Sequence, residues 1–372
     1  MMKQLLLLIT LAMITAGPSV PTQTEAAPSG PTAPTAVAPT AVPSKPVASP
    51  ATAPVQSAAK PKKVLGYYVE YYDTDRNSYR SLSANADVIT DVSLVSYDAK
   101  ADGSLTGSPS ATGLTTARAK SVDSYLLVAN HGTETFDKKL VHTILNNPTA
   151  TARLIDNLVA QAVKMKATGI NLDFENIPAD DRAKYTQLIS QLSAKLHQNK
   201  KQLVVSVPAK LSDDPKETWT YAYDYRGIGS KADFLQVMSY DEYGPWMEAG
   251  PVASYPWVDS VLRFAASLVP GNKLLMGIPS YGYEWSAAGN KAVAYKAIPE
   301  LIANQHAQVQ WNDQLKSPYL TYQKDGVVHT LWFENEESLS AKRALADKYH
   351  LAGYGIWRLG LDDPSFWDAL VR

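Results

Sequence analysis

The chain has 372 residues, 45% hydrophobic, 9% aromatic and 19% charged, enough for a large core and far from the composition of a membrane channel. Its 35 lysines and arginines nearly balance 36 aspartates and glutamates, with no long basic tract, so a nucleic-acid backbone is not the expected partner. Cysteine is absent, which excludes a disulfide framework, thiolate metal sites, cysteine nucleophiles and a lipid anchor on cysteine.

At the start of the chain Lys3 precedes an apolar run from Leu5 to Ile14, and the small residues Ala16, Gly17, Ala26 and Ala27 follow. That run is shorter than the ~20 residues a membrane-spanning helix needs. Residues 1–27 therefore read as a cleaved export signal, and the mature protein is expected to be secreted or held at a bacterial cell wall, with no stable transmembrane segment. From 28 to 62 the sequence is almost entirely Pro, Ala, Thr, Ser and Val. Its prolines remove backbone donors and fix φ, so it reads as an extended spacer without a core. Setting aside residues 1–62 removes four basic and one acidic residue, leaving 31 and 35, a formal charge of about −4.

From 63 to 372, short apolar runs alternate with longer amphipathic segments, the pattern of strands each followed by a covering helix. The predicted strands are 64–72, 91–99, 124–130, 169–175, 202–208, 234–240, 273–282 and 353–360, with helices at 147–167, 181–199 and 338–350 among the connections. Eight such units predict an α/β fold, a closed (β/α)8 barrel. About 70 residues separate the last two strands and contain VQWNDQ, YLTYQKDG and VVHTLWFEN, so a small α+β insertion is expected at about 283–335, with Lys324-Asp325-Gly326 as a hairpin turn. In barrels of this type, chemistry sits at the C-terminal ends of the strands.

The fourth of these strands carries the sharpest chemical signal, Gly169-Ile170-Asn171-Leu172-Asp173-Phe174-Glu175-Asn176. Strand alternation puts Asn171, Asp173 and Glu175 on the lumen face and Ile170, Leu172 and Phe174 against the outer helices. Burying three polar groups costs several kcal/mol unless each is partnered, so such a row points to function. Asp173 and Glu175 are close enough to share a proton, which would keep Glu175 neutral and able to donate to a leaving oxygen. Asp173 would then stabilise a neighbouring amide, with Asn171 expected to hold Asp173 by a hydrogen bond.

Other chemistries find no support in the sequence. The six histidines, His131, His142, His197, His306, His329 and His350, form no closely spaced ligand pair, and no glycine-rich phosphate loop stands at a strand-helix junction. Neither a metal nor a cofactor is expected. Ser206 and Ser239 lack a G-x-S-x-G setting and read as strand residues lining the barrel.

The 168–175 segment resembles the fourth-strand motif of glycoside hydrolase family 18, D-G-x-D-x-D-x-E, matching at Gly169, Asp173 and Glu175 and departing at Thr168 and Asn171. With Asn176 it is similar to the bacterial spore-cortex-lytic branch, in which the asparagine is compatible with activity. Met238-Ser239-Tyr240-Asp241-Glu242-Tyr243-Gly244 resembles the sixth-strand motif, and Gly355-Ile356-Trp357-Arg358-Leu359-Gly360 the final strand. The resemblance implies that Tyr240 bonds the substrate acetamido group, that Asp241 shapes the same subsite, and that Trp357 forms the floor beneath the sugar. Tyr67 is a candidate for lining the same cleft, Trp246 for stacking on a neighbouring sugar, and Glu334 either contacts the glycan or caps the helix after it. Together these imply retaining, substrate-assisted hydrolysis of β-1,4-linked N-acetylglucosaminides, with the acetamido group as nucleophile. Peptidoglycan or spore cortex is the expected substrate; chitin oligomers, or glycan binding with weak or absent catalysis, are the alternatives.

Overall fold

The protein is described here by a computed structural model covering residues 62–133 and 135–371; the predicted export signal and all but the last residue of the spacer lie outside the described residues. The strands are β1 (Lys63–Tyr68), β2 (Asp91–Ala99), β3 (Leu105–Gly107), β4 (Asp123–Ala129), β5 (Gly169–Asp173), β6 (Gln202–Pro208), β7 (Phe234–Met238), β8 (Leu274–Pro279), β9 (Tyr281–Ser286), β10 (Lys291–Ala294), β11 (Gln310–Asn312), β12 (Ser317–Lys324), β13 (Val327–Trp332) and β14 (Gly353–Trp357). Eight of them, β1, β2, β4, β5, β6, β7, β8 and β14, pair in parallel, and β1 closes the ring by pairing with both β14 and β2. This is the (β/α)8 barrel expected from the alternation of apolar runs. The short β3 folds back antiparallel on β2.

Helices cover the outside because their apolar residues recur at three- and four-residue spacing. Pro148–Lys164 buries Ala150, Leu154, Ile155, Leu158, Val159 and Ala162 on one stripe; Asn147 caps it by accepting from the N–H groups of Thr149 and Ala150, with Pro148 in the first turn. Each fully buried leucine there contributes about 1.5–3 kcal/mol. The lumen has its own smaller core of Leu65, Tyr67, Tyr125, Leu127, Ala129, Val204 and Leu275, so only the rim and the C-terminal end are open to chemistry.

Several barrel strands end earlier than the apolar runs suggested, those expected at 169–175, 234–240 and 353–360 by two or three residues. The first ends at Tyr68 rather than Tyr72, and the predicted seventh strand, 273–282, is two strands. Leu274–Pro279 stays in the barrel, whereas Tyr281–Ser286 leaves it to pair antiparallel with β10 and β13. Ser280 is the hinge: its N–H and hydroxyl donate to the carbonyls of Trp357 and Arg358, fastening the exit to the end of β14. The insertion is a five-stranded antiparallel sheet in the order β10-β9-β13-β12-β11, with a helix at Ile298–Gln305. Asp325 and Gly326 both have positive φ between β12 and β13, the conformation a two-residue hairpin favours.

Candidate active site

β5 ends at Asp173, and the inward row continues past it to Glu175. Asn176, with φ of 57°, then turns the chain away, a conformation asparagine tolerates better than most residues. Asn171 is fully buried, but it does not hold Asp173 as expected. Its Oδ1 accepts from Ser93 Oγ at 2.9 Å and its Nδ2 donates to Ser206 Oγ at 3.0 Å. The reason is geometric: residues two apart on a strand lie one above the other, whereas β2 and β6 bring hydroxyls in from either side. The resulting layer satisfies a neutral amide in both directions, and a carboxylate there would be a buried charge held by hydroxyls alone.

Asp173 has the opposite character. It is buried, and its Oδ1 has no hydrogen-bond partner among the described residues. Burial pushes its pKa above the usual carboxylate range, with His131 and Ser206 pulling it partly back. Glu175 is raised further, first by burial and then by the charges of Asp173 and Asp241. Both carboxyls are thus shifted toward their protonated forms, Asp173 by burial and Glu175 by burial and its acidic neighbours. His131 stands at the same rim, its Nδ1 2.7 Å from Asp98 Oδ1.

A second wall comes from the end of β7, two strands along the ring, and from β9 of the inserted sheet. Tyr240 and Asp241 follow the end of β7, and Gly277 on the neighbouring β8 makes room for Tyr240: a Cβ there would lie 2.8 Å from its ring. Burial and surrounding anionic groups raise the Tyr240 pKa well above its ordinary value, so it is a hydrogen-bond donor. Asp241 Oδ1 accepts from the hydroxyls of Tyr281 at 2.5 Å and Tyr283 at 2.9 Å. These two tyrosines were not anticipated. Their alternation in Tyr281-Gly282-Tyr283 puts them on one face, a signal hidden because the segment read as the tail of a barrel strand.

Trp357, at the end of β14, is half-buried in contact with both the lumen core and the Tyr281–Tyr283–Trp285 cluster. Tyr67 packs edge-on beneath it with ring centroids 5.3 Å apart. At 1% exposure, Tyr67 has no surface to offer a sugar; its hydroxyl pairs with Ser206 Oγ at 2.9 Å and donates to Gln236 Oε1 at 3.1 Å. It supports the floor and the polar layer. Trp246 is 45% exposed on the loop after β7, and Trp219, which the sequence reading passed over, is 47% exposed on the loop after β6.

Glu334 is removed from the cleft. Its side chain and that of Lys342 are each 1% exposed and 2.7 Å apart, and Ser338 Oγ donates to the same carboxylate oxygen at 2.6 Å. The helix Glu336–Lys348 returns both partners over the residue that precedes it. The N-terminal cap is Asn335 instead, which accepts from the Ser338 N–H while Ser338 Oγ accepts from its own. Glu334 is therefore neither a glycan contact nor the capping side chain.

The family model for glycosyl hydrolases family 18 matches residues 63–362. The chain is 35% identical to an uncharacterized glycosylase, YvbX, of Bacillus subtilis strain 168, over 83% of this chain and 92% of the relative. Among solved structures, the spore cortex-lytic enzyme SleL of Bacillus megaterium QM B1551 superposes with a TM-score of 0.79 at 28% identity, covering 86% of this chain and 78% of that one. A chitinase from Chromobacterium violaceum ATCC 12472 superposes with a TM-score of 0.78 at 32% identity, covering 83% and 98%.

Proposed function

The chain belongs to glycosyl hydrolases family 18 and is a glycoside hydrolase, and from that premise we propose that it cleaves β-1,4-linked N-acetylglucosaminides of bacterial peptidoglycan or spore cortex by a retaining, substrate-assisted mechanism. One observation carries the reading: a buried Asp173 oxygen with no partner lies near Glu175, whose pKa burial and the neighbouring carboxylates push well above the usual range. An orphaned acceptor at a barrel mouth awaits a donor, and the N–H of a 2-acetamido group supplies one.

In this mechanism Glu175 protonates the glycosidic oxygen as general acid. The substrate's acetamido carbonyl oxygen attacks the anomeric carbon as the bond to the leaving sugar breaks, giving an oxazolinium ion. Asp173 accepts from the acetamido N–H and offsets its positive charge, and Tyr240 donates to the acetamido oxygen. Holding the nucleophile within the substrate gives it a high effective concentration, so no second enzyme carboxylate needs to attack. Glu175, now ionised, takes a proton from water, which opens the ring with retention. Asp241, fixed by Tyr281 and Tyr283, shapes the acetamido subsite; Trp357 is its floor and Trp246 a stacking surface for a neighbouring sugar.

The similarity to the spore cortex-lytic enzyme SleL and the proline-rich spacer favour wall glycan, with export through residues 1–27. Chitin oligomers are the second reading, favoured by the 32% identity to a chitinase. Incubating the protein and its Glu175→Gln variant with defined peptidoglycan fragments and chitin oligomers, with products read by mass spectrometry, tests both. New N-acetylglucosamine reducing ends from peptidoglycan, absent with the variant, are expected. Products from chitin alone move the substrate assignment, and saturable binding without cleavage of either overturns the mechanism.

A further inference from the structure

Glu175 stands beyond the ladder that should hold it. β4 and β5 pair only as far as Ala129 with Asp173, and β5 and β6 only as far as Leu172 with Val205. Past that point the backbone N–H and C=O groups must find other partners. Asn130, the residue after β4, is fully buried and supplies them: its Oδ1 accepts from the Glu175 N–H at 2.9 Å and its Nδ2 donates to the Glu175 carbonyl at 2.9 Å. The same Nδ2 reaches the Asp137 carbonyl at 3.2 Å, and the Tyr223 hydroxyl donates to the Phe174 carbonyl at 2.9 Å. A carboxamide presents one donor and one acceptor edge in fixed geometry, so Asn130 prolongs the sheet by side chain where backbone pairing has stopped.

This matters because, among the described residues, no other hydrogen bond reaches Glu175. Among the described residues no hydrogen bond holds the Glu175 carboxyl itself, and Asn176 immediately turns the chain away. The backbone therefore fixes where the side chain starts, and with it the range its carboxyl can reach.

We propose that Asn130 is the positioning residue for the general acid, clamping both backbone groups of Glu175 so that its carboxyl meets the leaving oxygen. The proposal rests on Glu175 being that acid. A misplacement of about 1 Å is enough to cost on the order of 10²-fold in rate, so the clamp should govern kcat/KM wherever protonation of the leaving group is needed.

The test compares two substrates sharing one N-acetylglucosaminyl unit: an oligosaccharide, whose sugar leaving group must be protonated, and the 2,4-dinitrophenyl glycoside, whose leaving group departs as an anion. Asn130→Ala should lose roughly 10²-fold in kcat/KM on the oligosaccharide and stay within about threefold on the dinitrophenyl substrate. Equal losses on both substrates would mean general disruption and overturn the proposal. Should Asn130→Ala not fold, Asn130→Asp carries the test, since it keeps the acceptor for the Glu175 N–H and loses the donor to its carbonyl; a smaller loss with the same split is expected, and loss without a split overturns the clamp. Glu175→Gln run in parallel separates the two layers. Full oligosaccharide cleavage by that variant removes the general-acid premise, whereas a split in Glu175→Gln with none in either Asn130 variant removes the clamp alone.

Discussion

The barrel mouth and the inserted sheet both take carboxylates out of water, and they partner them differently. In the sheet, buried Glu284 accepts from Tyr322 Oη at 2.8 Å and His329 Nδ1 at 2.9 Å, with Lys291 Nζ 3.2 Å away. Burial alone would raise its pKa, but these partners outweigh it and hold the carboxylate below its ordinary range. In the mouth, Asp173 has an unpaired oxygen and Glu175 has anionic neighbours, so burial wins and both are raised. The contrast separates structure from chemistry: a satisfied buried charge stabilises a fold, and an unsatisfied one is available to a substrate.

Removing the acid should have the largest effect. Glu175→Gln should lower kcat on an unactivated oligosaccharide by about 10²–10⁴-fold, or about 3–5 kcal/mol of barrier, while the thermal midpoint at neutral pH holds or rises. A fall in midpoint matching the loss of activity would make Glu175 structural and erase the contrast. The mirror experiment is Glu284→Ala, which strands His329 and the Tyr322 hydroxyl inside the sheet. A loss of about 2–3 kcal/mol in stability by denaturant titration is expected, with kcat per folded molecule retained.

A smaller effect, opposite in sign between the regions, appears in pH profiles of stability. Glu284 has a lowered folded pKa, so its contribution is present above the ordinary glutamate value and is lost as pH falls through the folded one. Asp173 has a raised folded pKa, so stability is complete below the ordinary aspartate value and declines as pH rises through the raised one. Asp173→Asn should therefore stabilise the protein by about 1 kcal/mol near pH 8 and by nothing near pH 3, measured by thermal melts. Equal shifts at both pH values would show that Asp173 is not strained by ionisation. The smallest change is expected from Trp246→Ala, with exposed aromatic surface removed from the rim. A rise in KM for longer oligomers, corresponding to about 0.5–1.5 kcal/mol, should leave kcat on short ones unchanged.

Much of this site could be read along single strands. Asn171, Asp173 and Glu175 share a face because alternation is a local property, and Tyr240, Asp241 and Trp357 stand in short segments that resemble a family's motifs. What eluded that reading comes from several strands at once. Asn171 seemed placed to hold Asp173, yet its partners arrive from β2 and β6, which meet it only on closure. Tyr67 looked like a cleft residue and lies under Trp357, because the lumen narrows to a packed layer there. Glu334 reads along the chain as a glycan contact or a helix cap, and the helix folding back over it gives it Lys342 and Ser338 instead.

By itself, then, the sequence determined the barrel, the row on its fourth strand, the aromatic and acidic residues after the sixth and the inserted antiparallel sheet, since periodicity and turn chemistry act over a few residues. Only the tertiary structure decided which polar groups are partnered. It placed Asn130 on the backbone of Glu175 from 45 residues away and Tyr281 and Tyr283 on Asp241 from about 40, and it left Asp173 with a free oxygen. Hydrogen-bond satisfaction depends on distances in space, and those exist only once the ring of strands has closed.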